Sequence, residues 1–105
     1  MSVLGKKLGI LLSTPPAHPN FNHALRLAET ALAKGVQVFL YCIDEAVAGV
    51  EQPRVQQLQA RGVKLFACAY AARRRSLALE DHAVLAGLSV VSELVAGTDR
   101  FVSFN

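Results

Sequence analysis

One mostly parallel sheet with helices on both faces is the fold class this chain predicts. Three observations carry it. Strand-like and helix-like segments alternate in the order β-α-β-α-β-α-β-α-β. The strand-like runs are short and continuously apolar, as strands buried on both faces are. The connections are mostly two to six residues long, the spacing that α/β units prefer, and right-handed crossovers complete the arrangement.

The first strand is Leu8 to Ser13, an apolar run that ends in polar and proline residues. Thr14-Pro15-Pro16-Ala17-His18-Pro19 cannot be helical and predicts a loop. Asn20 or Asn22 is placed to cap the first helix. There Ala24, Leu25, Leu27, Ala28, Ala31 and Leu32 recur at helical spacing, and Lys34-Gly35 stops it. Val36 to Cys42 is β-branched and aromatic, hence a second strand. Ala46 to Val50 predicts one helical turn. Pro53 then opens a helix whose Val55, Leu58 and Gln59 face inward and which Arg61-Gly62 ends.

Val63 to Ala67 is the third strand, and Cys68 follows at its carboxyl end. Ser76 to Asp81 predicts a loop or short helix, and His82 to Gly87 a short strand. Leu88 to Ala96 forms a helix with Val90, Val91, Leu94 and Val95 as apolar contacts, ended by Gly97-Thr98-Asp99. Arg100 to Phe104 is the last strand. No internal repeat or low-complexity stretch interrupts this order.

At 105 residues the chain predicts a single domain over 1–105. A chain of this length buries roughly 65% of its unfolded surface, enough for a core. Its 52% hydrophobic and 18% charged residues suit a buried parallel sheet or an oligomer. The longest apolar runs fall far short of the ~20 residues of a membrane span. The start, Met1-Ser2-Val3-Leu4-Gly5-Lys6-Lys7, lacks the pattern of a secretory signal. Two cysteines make no disulfide scaffold, so the expectation is a cytoplasmic protein with reduced thiols, with no membrane partner. A net charge of +3 permits anionic ligands. No zinc-finger spacing, aromatic RNA platform or long basic helix points to nucleic acid.

Open α/β sheets bind ligands at the carboxyl ends of their strands. Three loops converge on that rim here: Ser13 to Asn22, Cys42 to Glu45, and Cys68 to Arg75. Signatures of dinucleotide sites, triphosphate loops and nucleophile elbows are absent from the sequence. His18, His23 and His82 have no metal-ligand spacing with the cysteines, so they are read as surface or capping residues. Cys42, inside a dense apolar run, is read as core, and a Cys42–Cys68 disulfide stays conceivable if their strands are neighbours.

Cys68 carries the sharper expectation. A thiol near cationic side chains is held partly as thiolate, its reactive form. Arg73-Arg74-Arg75 follow five residues on and would cradle an anion there, their guanidiniums forking onto its oxygens. A helix starting after Cys68 would add backbone N–H donors. The plain alternatives are a small buried apolar cysteine and a solvated charge run.

The run Gly62-Val63-Lys64-Leu65-Phe66-Ala67-Cys68-Ala69 resembles the cysteine segment of the DsrE/DsrF-like (TusD-like) sulfur-relay family. Co-linear pieces agree: the helix Ala24-Leu25-Arg26-Leu27-Ala28, its end at Ala33-Lys34-Gly35, strand Val38-Phe39-Leu40-Tyr41 leading into Asp44, and the closing Asp99 to Phe104. Two places depart from the family pattern. Arg73-Arg74-Arg75-Ser76 stands where an Arg-Gly pair is usual, and Asp44-Glu45-Ala46-Val47 where Asp-Gly-Val is usual.

The resemblance implies a three-layer α/β/α (DsrEFH-like) fold and a homo-oligomer, trimer or hexamer, or a hetero-oligomer. It implies an intracellular sulfur carrier or sulfurtransferase that accepts sulfane sulfur as a persulfide on Cys68 and exchanges it with sulfur-donor and sulfur-acceptor proteins, without a cofactor. Arg73, Arg74 and Arg75 would bias the thiol toward thiolate, and Tyr70 would wall the pocket. Two other readings stay open: a non-catalytic small-anion or nucleotide-binding module, and a structural subunit of a sulfur-relay hetero-oligomer. In the last, an apolar face from Leu88 to Val95 or around Phe101 would be covered by a partner.

Overall fold

A computed structural model describes residues 2–105. Five strands form one sheet: β1 (Lys7–Leu12), β2 (Gln37–Cys42), β3 (Lys64–Cys68), β4 (Val84–Ala86) and β5 (Arg100–Phe104). Their spatial order is β4-β3-β2-β1-β5, and every pair is parallel. Helices α1 (Pro19–Ala33), α2 (Pro53–Ala60), α3 (Ala69–Arg74) and α4 (Ser89–Gly97) fill the crossovers, and a 3-10 turn spans Asp44–Gly49.

The strand order dictates the layers. From β1 to β4 each step runs in the same direction across the sheet, so right-handed crossovers place α1, α2 and α3 on one face. The return from β4 to β5 runs the other way and places α4 on the opposite face. The result is the three-layer α/β/α arrangement, with all five strands parallel.

Burial follows from that asymmetry. In register, Ile10, Leu40 and Leu65 share a face with Leu12, Cys42 and Ala67, and all six are buried under the three-helix layer. The other parity holds Leu11, Phe39 and Phe66, which are half-buried because one helix covers them. Tyr41 and Cys68, on that same face, are buried.

Local chemistry explains the element ends. Pro19 occupies the first turn of α1 and restricts His18 to extended backbone (φ −76°, ψ 138°). That makes His18 the N-cap, its Nδ1 accepting from Asn20 N–H at 3.0 Å. The expected asparagine caps are elsewhere employed: the Asn20 amide donates to the Asn105 carbonyl, and Asn22 Oδ1 accepts from Arg54. Gly35 closes α1 with a left-handed φ of 78°, which glycine adopts without strain. The segment Ser76–Asp81 holds no helix. The helix of that crossover lies upstream, at Ala69–Arg74, where alanines favour it and two arginines meet the negative end of its dipole.

One ion pair ties α1 to α2. Arg54 forks onto both Glu29 oxygens at 3.0 and 2.9 Å, and this hydrogen bonding holds the Glu29 carboxyl below its ordinary value. A carboxylate depressed in the folded state contributes stability above its unfolded range and loses it as pH falls through the folded value. Both side chains are over a third exposed, so the contribution stays below about 1 kcal/mol. Arg54→Ala is therefore expected to lose that amount near neutral pH, the gap closing in acid; urea titrations at several pH values check it.

Candidate functional site

The parallel sheet brings the carboxyl ends of β1, β2 and β3 to one rim, as the alternating pattern implies. Cys68 is the last residue of β3 and the N-cap of α3. Its Sγ accepts a hydrogen bond from Ala71 N–H at 3.5 Å. The side chain is buried, with 5% of its surface exposed. The start of α3 thus supplies a backbone donor to the sulfur.

The two cysteines lie on neighbouring strands and cannot pair. Cys42 is the register partner of Ala67, one residue before Cys68. Alternate residues of a strand point to opposite faces, so Cys42 enters the three-helix layer and Cys68 the other face. Both thiols are free. Burial pushes the Cys42 thiol up to about 12, so it stays protonated and packs as core.

The arginines sit at the far end of α3. Arg73 begins about 8 Å along the helix axis from Cys68, and all three are exposed. No guanidinium hydrogen-bonds the sulfur among the described residues. Arg73 lines a cavity of about 320 Å³ beside α3, with Ala69, Ala72, Ser76, Glu80 and Leu85. Ala69 follows Cys68 directly, and Leu85 precedes its β4 register partner, Ala86. Arg74 instead donates to the Tyr70 hydroxyl at 3.3 Å. Tyr70 does not wall this cavity; it is 65% exposed.

Tyr41 is the neighbour that sequence reasoning missed. Its ring stacks with Phe66, centroids 6.4 Å apart at 23°. Its hydroxyl donates to the Ala86 carbonyl at 3.0 Å. Burial first, and then Cys68 beside it, push the phenol above its ordinary value, so it keeps its proton. The only sequence signal for it is an aromatic residue near a strand's carboxyl end, and whether it shares a face with Cys68 depends on register.

The histidines do not converge. His18 caps α1, His23 is exposed, and His82 approaches Glu51 at 3.8 Å. Among the described residues no group of three His, Cys, Asp or Glu side chains could hold a metal ion, and no helix is long and apolar enough to cross a membrane.

A family model described as the DsrE/DsrF-like family matches residues 6–104. Among solved structures the chain is similar to the ychN protein from E. coli, with a TM-score of 0.79 at 18% identity, covering 94% of this chain and 99% of that one. At that identity the likeness speaks for the fold. No curated protein matches. The family match runs through all five strands and includes the Cys68 turn, and the chain belongs to the DsrE/DsrF-like family.

Proposed function

We propose that this protein is an intracellular sulfur carrier that takes sulfane sulfur on Cys68 and passes it to a partner protein. Membership of the DsrE/DsrF-like family supports a sulfur-relay role in general. The observation that carries the finer reading is the placement of Cys68: at the carboxyl rim of a parallel sheet, capping α3, with a backbone N–H on its sulfur.

The step needs no outside oxidant. The Cys68 thiolate attacks the outer sulfur of a donor persulfide. A new S–S bond forms on Cys68, the donor's S–S bond breaks, and the donor leaves as its thiolate. The reverse geometry, with an acceptor thiolate attacking the outer sulfur on Cys68, unloads it. Arg73, Arg74 and Arg75, all exposed after Cys68, add the positive potential that we assign to drawing an anionic sulfur donor in.

Alkylating the native protein with iodoacetamide tests this. The expected label is on Cys68 alone, with loss of sulfur uptake from a persulfide donor. A fully labelled Cys68 with uptake intact rules the reading out.

A second reading, a structural subunit of a hetero-oligomer, draws on the α4 side. Leu88 is 62% and Val95 55% exposed, with Val84 nearby in sequence also exposed. Assembly with copies of itself, as a trimer or hexamer, would cover such residues as well. Sedimentation of the isolated chain separates the two: a closed homo-oligomer favours the carrier, and a self-sticking monomer the subunit.

A further inference from the structure

Burying a sulfur anion is costly unless donors face it. The arginines hold to the far end of α3, so the charge on Cys68 would depend on nearer groups. One is the Ala71 N–H. The strand geometry identifies a second.

Tyr41 lies on β2, and its hydroxyl is bonded to the Ala86 carbonyl on β4, with β3 between them. Neighbouring strands are about 4.8 Å apart, so the side chain must cross over β3 to make that bond. It crosses on the face that carries Phe66 and Cys68, stacked with the first. Ala86 is the register partner of Cys68. The phenol oxygen is therefore delivered to the level of Cys68, on the same face as its sulfur. Consistently, after burial, Cys68 is the group that raises this phenol above its ordinary value.

We propose that Tyr41 is a positioning residue for Cys68: its buried O–H, bonded to the Ala86 carbonyl in this structure, turns to donate to the Cys68 sulfur when that sulfur is charged, as thiolate or persulfide. The turn needs rotation about the C–O bond alone, because a hydroxyl hydrogen orients to suit its acceptors. The sulfur anion then has two donors, Ala71 N–H and Tyr41 O–H, in a site that water scarcely reaches. The persulfide part of this inference rests on the proposed function; the thiolate part stands without it. Other charged groups on the elements around Cys68 are Arg73 and Arg74 on α3, Arg75 at its C-cap, Asp44 and Glu45 on the 3-10 turn packed against α3, Lys64 on β3, and Glu80 in the following loop; all are exposed.

The test is a thiolate titration followed by ultraviolet absorbance, comparing wild type with Tyr41→Phe. Cys42 remains a thiol through the range, so the signal reports Cys68. The expected result is a profile displaced to higher pH in Y41F, with about a tenfold smaller thiolate fraction at a fixed pH on the rising limb, equivalent to one unit of displacement. Superimposable profiles from a folded Y41F would overturn the proposal. If Y41F does not fold, the unaltered protein decides: the ¹³Cζ resonance of labelled Tyr41 is expected to move with the Cys68 titration and to stay flat in Cys68→Ser. A flat Tyr41 resonance in the wild type would equally overturn it. Neither readout uses a sulfur donor, so a protein that takes no sulfur defeats the proposed function while these measurements still judge Tyr41.

Discussion

Cys68→Ala is expected to abolish sulfur transfer from a persulfide donor to an acceptor thiol, down to the rate of the uncatalysed exchange. The sulfur atom is both nucleophile and carrier in the proposed relay, so no neighbouring group can substitute for it. Cys42 is the only other thiol, and it is buried on the opposite side of the sheet with its proton held by desolvation. The fold should tolerate the change, because alanine keeps the small apolar volume at the end of β3 and loses one weak sulfur-accepted hydrogen bond. A thermal melt near that of wild type, alongside lost transfer, is the pattern expected. Transfer retained by a folded Cys68→Ala would place the chemistry elsewhere.

Leu40→Ala is expected to produce the largest stability loss among simple truncations. Leu40 is at the centre of β2, flanked in register by Ile10 and Leu65, and it has no exposed surface. The strand is central, the neighbours are held by the sheet, and the cavity left behind cannot collapse easily. The cost is about 3 kcal/mol, and a domain of this size then melts roughly 12–24 °C lower. Thermal melts at matched protein concentration measure it. A drop of a few degrees would mean that the region is less tightly packed than the register implies.

Much of the fold was legible from local pattern. Continuous apolar runs marked β1, β2 and β3, and the helical spacing from Ala24 to Leu32 marked α1. Proline and glycine punctuation set most of the ends within a residue or two. What was illegible is non-local. The order β4-β3-β2-β1-β5 is written in pairings between distant segments, and the opposition of Cys42 and Cys68 depends on a register that no single run displays.

The cap of α1 was readable by a different rule. Cap propensity favours Asn20 and Asn22, but Pro19 forces the residue before it into extended backbone, and that geometry selects His18. Ser76–Asp81, open to a loop or a short helix, is a loop, and the helix starting after Cys68 fills the third crossover, where alanines favour it.

The site was legible in part. The position of Cys68 at a strand's carboxyl end follows from the apolar run before it. The relation of the arginines to Cys68 was not legible, because nearness in sequence does not fix nearness in space. A helix carries residues five apart away along its axis, so Arg73 reaches a neighbouring cavity rather than bonding the sulfur. Tyr70, two residues after Cys68, accepts from Arg74 at the surface. Tyr41, 27 positions before Cys68, reaches its side through the sheet instead.

The measurement that tests the central claim most directly is the intact mass of the reduced protein after incubation with a polysulfide donor, for wild type and Cys68→Ser. The expected result is a gain of one sulfur atom in the wild type, reversed by reductant and absent from the variant. No gain in the wild type, or an equal gain on Cys42 in the variant, would contradict it.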